Sequence, residues 1–163
     1  MNRIVLLGPG GSGKSVLAHK LGSLLKIPVK ELDKVFWTKE LKPMDKEKWE
    51  ALLKTWVEEI SWVIDGDLGD YEGKGLEIRL EKADTVIFLD FPRWLCLWNS
   101  WHRSKEKLNY WVWVWNYKKR QRPRLLRLIK RKSPQARKIR LKNRKEIKEF
   151  LNKLPESKIE NIN

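Results

Sequence analysis

The residues with the clearest chemistry stand near the start of the chain. Gly8-Pro9-Gly10-Gly11-Ser12-Gly13-Lys14-Ser15 satisfies the pattern G-x-x-x-x-G-K-[ST]. Glycines at positions 8, 10, 11 and 13 let the backbone wrap closely and aim several N–H groups, with that of Ser12 among them, at one phosphate. A helix opening after the loop adds its positive N-terminal end. Lys14 supplies a point charge for the β and γ phosphates, and the Ser15 hydroxyl suits magnesium. The motif follows the apolar run Ile4–Leu7 and precedes a helical pattern, the context that separates a phosphate cradle from an incidental glycine turn. The ligand expected there is ATP or GTP with a magnesium ion.

Three carboxylates end strand-like runs. Asp90 closes Val86-Ile87-Phe88-Leu89, an apolar run plus acid suited to magnesium or its water ligands. Asp65 follows Trp62-Val63-Ile64 and is an equal candidate; either could instead cap the next helix. Asp33, after Val29–Leu32, could orient an acceptor hydroxyl or take its proton, or could be a loop residue paired with Lys34.

The elements that must hold these groups alternate. Strands are expected over Ile4–Leu7, Val29–Leu32, Trp62–Ile64, Thr85–Leu89 and Lys138–Leu141. Helices are expected over Ser15–Lys26, Lys46–Glu59, Leu76–Glu81, a segment carrying Trp94 to Trp101, Trp111–Lys130 with a bend near Pro123, and Arg144–Leu154. Alternation of this kind predicts an α/β fold with a parallel sheet covered on both faces, so that Asp33, Asp65 and Asp90 share its carboxyl edge, where such proteins bind ligands. Nothing repeats and no linker divides the chain, so a single domain over 1–163 is expected, with a fraying tail from Pro155.

A basic, tryptophan-rich arm, about 100–125, follows the fourth strand. Trp94, Trp98 and Trp101 share a helix face, as do Trp111 and Trp115. A stripe at this spacing is expected foremost in a core. Stacking on a purine or on unpaired bases, or contact with a membrane interface, are the other readings. Arg103, Arg120, Arg122 and Arg124 could close over a nucleotide and neutralise a transferring phosphoryl group, since the guanidinium fork matches phosphate oxygens. A solvated charge run is the plain alternative.

Bulk properties narrow the setting. The 163 residues are 41% hydrophobic and 35% charged, as for a globular chain able to bury a core. Residues 1–92 carry 14 Lys/Arg against 16 Asp/Glu, while 93–163 carry 22 against 5, so the net charge of +15 lies on the second part. A polyanionic partner such as nucleotide phosphates, nucleic acid or an anionic membrane would fit, as would a merely lysine-rich surface. Cys96 alone excludes an internal disulfide or thiolate metal cluster, and His19 and His102 are too scattered for zinc. No apolar run reaches the ~20 residues of a membrane span, and the N-terminus lacks a signal-peptide pattern, so a cytoplasmic protein is expected.

Beyond these motifs, Trp62-Val63-Ile64-Asp65-Gly66 and Thr85-Val86-Ile87-Phe88-Leu89-Asp90-Phe91-Pro92-Arg93 resemble the adenylate-kinase-related P-loop proteins known as DNA topology modulation proteins (FlaR-like). The resemblance extends through Leu32-Asp33, Phe36-Trp37, Arg79-Leu80-Glu81, Trp94-Leu95-Cys96-Leu97-Trp98, Trp115-Asn116, Arg122-Pro123-Arg124 and Leu141-Lys142-Asn143-Arg144. It implies a P-loop NTPase fold with a five-stranded parallel sheet, a nucleoside- or nucleotide-kinase-like site using ATP, and a lid between the two late helices. Adenylate kinases carry D-G-x-P-R, whose arginine grips the acceptor phosphate. Asp65-Gly66-Asp67-Leu68-Gly69 keeps the Asp-Gly pair without that arginine, which counts against AMP unless Arg79 or Arg93 substitutes. The segment from Arg103 to Trp111 is also shorter than the lid the resemblance implies. The expectation is a small kinase transferring the γ-phosphoryl group of Mg·ATP to a nucleotide, nucleoside or other small acceptor. Its rival is a nucleotide-dependent DNA- or RNA-binding regulator that uses the arm.

Overall fold

The computed structural model describes residues 1–38, 42–68, 71, 73–101 and 108–154. Five strands form one parallel sheet: β1 (Arg3–Leu7), β2 (Val29–Glu31), β3 (Trp62–Asp65), β4 (Thr85–Leu89) and β5 (Arg137–Leu141), in the order β2-β3-β1-β4-β5. The central strands β3 and β4 are buried along their whole length and β1 from Ile4 onward, which is why they read as apolar runs. Alternation assigns their side chains to two cores. Val5, Leu7, Ile64, Val86 and Phe88 face α3 (Lys46–Glu58), α4 (Gly75–Lys82) and α6 (Leu108–Lys132). Ile4, Leu6, Val63, Ile87 and Leu89 face α1 (Lys14–Leu25), α5 (Arg93–Trp101) and α7 (Arg144–Asn152).

Local chemistry sets the ends of these helices. The Asp45 carboxylate accepts hydrogen bonds from the backbone N–H groups of Glu47 and Lys48, both at 3.1 Å, and so caps α3. Trp49, Leu53 and Val57 then bury one side of that helix. The Asn143 side chain caps α7 through the Glu146 N–H at 2.9 Å.

Two differences from the sequence reading have plain causes. The second strand stops at Glu31, and a five-residue helix, α2 (Leu32–Phe36), begins one residue before Asp33. The buried side chains of Leu32 and Phe36, four apart, produce that turn, which is too short for periodicity to reveal. The last long helix begins at Leu108, three residues before the expected start, and its hydrogen-bonded run continues past Pro123 to Lys132. Proline removes one N–H there, and burial of Leu125 and Ile129 beyond it maintains the helix. The expected lid segment with His102 and Arg103, the loop glycine Gly69 and the tail from Pro155 lie outside the described residues.

Candidate active site

Register places the chemistry at one edge. Leu6 pairs with Asp65, and Asp65 with Glu31, while Leu7 pairs with Phe88. The loops leaving β1, β2, β3 and β4 therefore meet at the carboxyl ends of the strands.

The cradle leaves β1 at Gly8, whose φ of +146° and whose 2.7 Å from a hypothetical Cβ to the Leu89 carbonyl admit glycine only. The turn closes through Ser12 N–H to the Pro9 carbonyl at 3.3 Å, and α1 starts with Leu17 N–H bonded to the Gly13 carbonyl at 3.0 Å. Lys14 and Ser15 occupy its first turn. Lys14 Nζ donates to the Pro9 carbonyl at 3.0 Å, which places its ammonium across the loop. The Ser12 hydroxyl is buried with no hydrogen-bond partner.

Helices α5 and α6 brace the loop from the side. A Cβ on Gly11, at φ +73°, would collide with the Cys96 carbonyl and the Ser100 hydroxyl, and one on Gly10 would meet the Tyr110 hydroxyl. Asn99 Nδ2 donates to the Gly11 carbonyl at 2.9 Å, and the Ser100 and Tyr110 hydroxyls share a hydrogen bond of 2.9 Å. Arg144, at the start of α7, donates to Asn99 Oδ1 at 2.9 Å. Asn99, Ser100, Tyr110 and Arg144 had no assigned role in the sequence reading. Only Arg144 carried a signal, as the end of the Leu141-Lys142-Asn143-Arg144 run.

A carboxylate group faces the lysine. Asp33 is solvent-exposed on the first turn of α2, with enough protein around it to desolvate its carboxyl. Desolvation raises its pKa, as do the charges of Asp65, Asp67 and Glu31, against an opposing pull from Lys14. Asp65, Asp67 and Lys14 thus lie within electrostatic reach of Asp33. Asp67 was not singled out from sequence. It accepts a 2.5 Å hydrogen bond from Tyr117, a buried α6 residue whose pKa burial raises well above its ordinary value. Asp65 is 4% exposed, and its Oδ1 is buried without a hydrogen-bond partner. An orphaned buried carboxylate oxygen beside a phosphate cradle suits a hard cation or one of its waters. Among the described residues no three acidic, imidazole or thiol groups converge as a cage. Magnesium bound with phosphates needs only one or two carboxylates, so Ser15 and Asp65 fit it.

Asp90, expected as an equal candidate for the metal, does not fit that role as it stands. Arg122 Nε lies 3.1 Å from each Asp90 oxygen and its Nη2 lies 3.0 Å from Oδ2. Arg140, on β5, adds Nε at 2.7 Å. Burial alone would raise the Asp90 pKa, but the bonds and charges of both guanidiniums outweigh it and hold it below the ordinary value. Both oxygens are engaged by cations, so a metal there would have to displace them.

The arm arginines do not act together. Positions 120, 122 and 124 alternate sides of a continuous helix, so Arg122 turns to Asp90 while Arg120 and Arg124 are exposed. Nor do the proposed acceptor arginines face the cluster as free cations. Arg79 is fully buried and donates to the Gly66 carbonyl at 3.1 Å and the Gly75 carbonyl at 3.3 Å. Arg93 stacks on the Trp115 ring at 4.8 Å. The tryptophan stripe is likewise not core: Trp94, Trp98 and Trp101 are 67%, 63% and 72% exposed. The opposite side of α5, with Cys96 and Ser100 against Gly11, is the buried one.

No protein-family model matches the chain, and no curated protein matches it in sequence. Solved structures do match in fold. Shikimate kinase from Acinetobacter baumannii in complex with shikimate aligns over 94% of this chain and 90% of its own, with a TM-score of 0.67 and 17% identity. A sugar kinase from Janibacter sp. HTCC2649 aligns over 93% of both chains at TM-score 0.58 and 16% identity. A gluconokinase from Sinorhizobium meliloti 1021 covers 93% of this chain and 87% of its own, at TM-score 0.56 and 14% identity. With its five-stranded parallel sheet, flanking helices and a glycine-rich loop between β1 and α1, the chain has the P-loop NTPase fold.

Proposed function

We propose that the chain is a small kinase that transfers the γ-phosphoryl group of Mg·ATP to a hydroxyl of a small acceptor carrying no phosphate of its own. The observation that carries this reading is Asp33, a carboxylate just past the carboxyl end of β2, within electrostatic reach of Lys14 and with a pKa raised by its surroundings. Among the described residues, the two arginines considered for an acceptor phosphate are engaged elsewhere, Arg79 with backbone carbonyls and Arg93 with the Trp115 ring. A neutral hydroxyl benefits from a carboxylate. The similar folds named shikimate kinase, sugar kinase and gluconokinase lend the same support.

In the proposed reaction the acceptor oxygen forms a bond to the γ-phosphorus as the bond to the β-γ bridging oxygen breaks, and ADP leaves. The hydroxyl proton passes to Asp33, whose raised pKa makes it a better acceptor than an ordinary aspartate. Lys14 moves from Pro9 to the β and γ phosphates, and the loop N–H groups hold the rest. Ser15 and Asp65 would hold magnesium, which would supply positive charge against the phosphates. Asp90 fixes the Arg122 and Arg140 guanidiniums beside the loop, where they can meet phosphate oxygens.

The test is ADP release with Mg·ATP over a panel of sugars, polyols and hydroxy acids beside nucleosides and nucleoside monophosphates. A hydroxyl acceptor should give turnover lost in Lys14→Ala and cut by ~10²–10⁴-fold in kcat in Asp33→Asn. Turnover with nucleoside monophosphates alone, or only slow hydrolysis across the panel, would refute the assignment.

A further inference from the structure

Helices α5 and α6 turn an aromatic surface outward that the catalytic reading leaves unused. Trp94, Trp98 and Trp101 on α5 meet Trp111, Val112 and Trp115 on α6 around an open groove of about 930 Å³. Val112 and Trp115 are each 52% exposed, beside the three more exposed tryptophans of α5. Soluble surfaces scatter such side chains singly; a contiguous set marks a contact. Among the described residues that line the groove, Asn116 is the one that is neither aromatic nor aliphatic, and none is a cation.

The charge lies at the rim. Arg93 rests on the face of Trp115. Lys118 and Lys119, three and four residues after Trp115, continue that side of α6, and Arg120 follows. With +17 on residues 93–163, a second copy would bring two basic bodies together, so self-association is disfavoured by charge. A single nucleic-acid strand needs cations interleaved with its stacking rings, and of the groove's rings only that of Trp115 carries a described cation, Arg93. An apolar centre of tryptophans with a basic border matches a bilayer surface bearing anionic headgroups. There the rings enter the headgroup boundary, their N–H groups stay in the polar layer, and lysines meet lipid phosphates.

We propose that the α5–α6 tryptophan face docks the protein on anionic lipid membranes. It is a peripheral contact, since no helix among the described residues is long and apolar enough to cross a membrane. The docked face is the back of the wall that braces the cradle: Trp94, Trp98 and Trp101 point out while Cys96, Asn99 and Ser100 of the same helix touch Gly11.

Flotation of the full chain with vesicles of phosphatidylcholine, alone or mixed with phosphatidylglycerol, tests this. Binding should require the anionic lipid, fall with salt, and weaken about fivefold for each of Lys118→Gln and Lys119→Gln. Trp94→Gln with Trp98→Gln should abolish it, and lipids brominated in their acyl chains should quench the wild type more than that variant. Both tryptophans are largely exposed, so the variant should keep its circular dichroism and its affinity for an ATP analogue, which separates loss of docking from loss of fold. Equal flotation with neutral vesicles, no flotation at low salt, or flotation unaffected by the tryptophan changes would overturn the proposal. So would tight binding of single-stranded oligonucleotides or dimerisation that depends on Trp94 and Trp98 while vesicles bind nothing.

Discussion

Replacing Asp90 and Asp65 separately by asparagine should separate two roles that strand-end position alone cannot. Asp90 is 4% exposed, with Arg122 26% and Arg140 50% exposed beside it. The paired bonds from Arg122 are worth about 1.5–3 kcal/mol as charge-assisted contacts. The half-exposed Arg140 adds less than about 1 kcal/mol after solvent screening. Asparagine retains one acceptor oxygen, so Asp90→Asn should cost about 2 kcal/mol, or roughly 4–8 °C in Tm for a chain of this size. The folded pKa of Asp90 is depressed, so its contribution is present above the ordinary aspartate value of 3.8 and is lost as pH falls through the lower folded value. The gap between wild type and variant should close over that acid window. Asp65→Asn should behave oppositely. It neutralises a carboxylate whose Oδ1 has no hydrogen-bond partner, so stability should hold while magnesium affinity in the nucleotide complex falls ~10–100-fold. Denaturant unfolding at two pH values, with a magnesium titration of ATP-analogue binding, reads both effects. If Asp90→Asn leaves stability intact and weakens magnesium as much as Asp65→Asn does, the assignment of Asp90 to the arginines is wrong.

Three more outcomes are expected. Gly11→Ala forces a side chain into the Cys96 carbonyl at a φ of +73°, at a cost of ~1–3 kcal/mol, and should weaken ATP-analogue binding in a titration calorimeter while most of the fold survives. Asp33→Asn should raise Tm at neutral pH, because a raised folded pKa means that the ionised carboxylate opposes folding; the gain should vanish as wild-type Asp33 protonates in acid, and a variant no more stable than wild type would contradict the burial argument. Tyr117→Phe removes the 2.5 Å bond to Asp67 and should cost about 1–3 kcal/mol in urea unfolding, with Asp67→Asn giving a smaller loss.

Sequence was most informative where one residue type admits one explanation. The cradle is legible because glycine, lysine and serine at fixed spacing have few other uses, and β1, β3 and β4 because both faces are buried. Asp33 and Asp65 were legible as strand-edge acids, although α2 intervenes before Asp33. What could not be read depends on orientation. Helical spacing puts Trp94, Trp98 and Trp101 on one side but does not say whether that side faces in; Cys96 and Ser100, small enough to lie against Gly11, took the inner one. The partners of Asp90 were equally hidden. Arg140 comes from a strand whose alternation leaves it half exposed, and its pairing with Asp90 depends on β4 lying beside β5. Strand order is not written in any local pattern.

The bond from Asn99 to Gly11 spans 88 residues, and the bond from Arg144 to Asn99 another 45. The phosphate loop is thus clasped by residues made well after it during synthesis. Until α7 emerges, a nascent chain can display the complete phosphate-binding motif yet lack the fastening that aligns it. Capture of an immobilised nucleotide analogue would then report the emergence of α7: peptides stalled before Arg144 should be retained poorly, and those extended past α7 retained well. Contacts of such long sequence separation also place the final setting of the loop late in folding, after the sheet has brought β4 and β5 together.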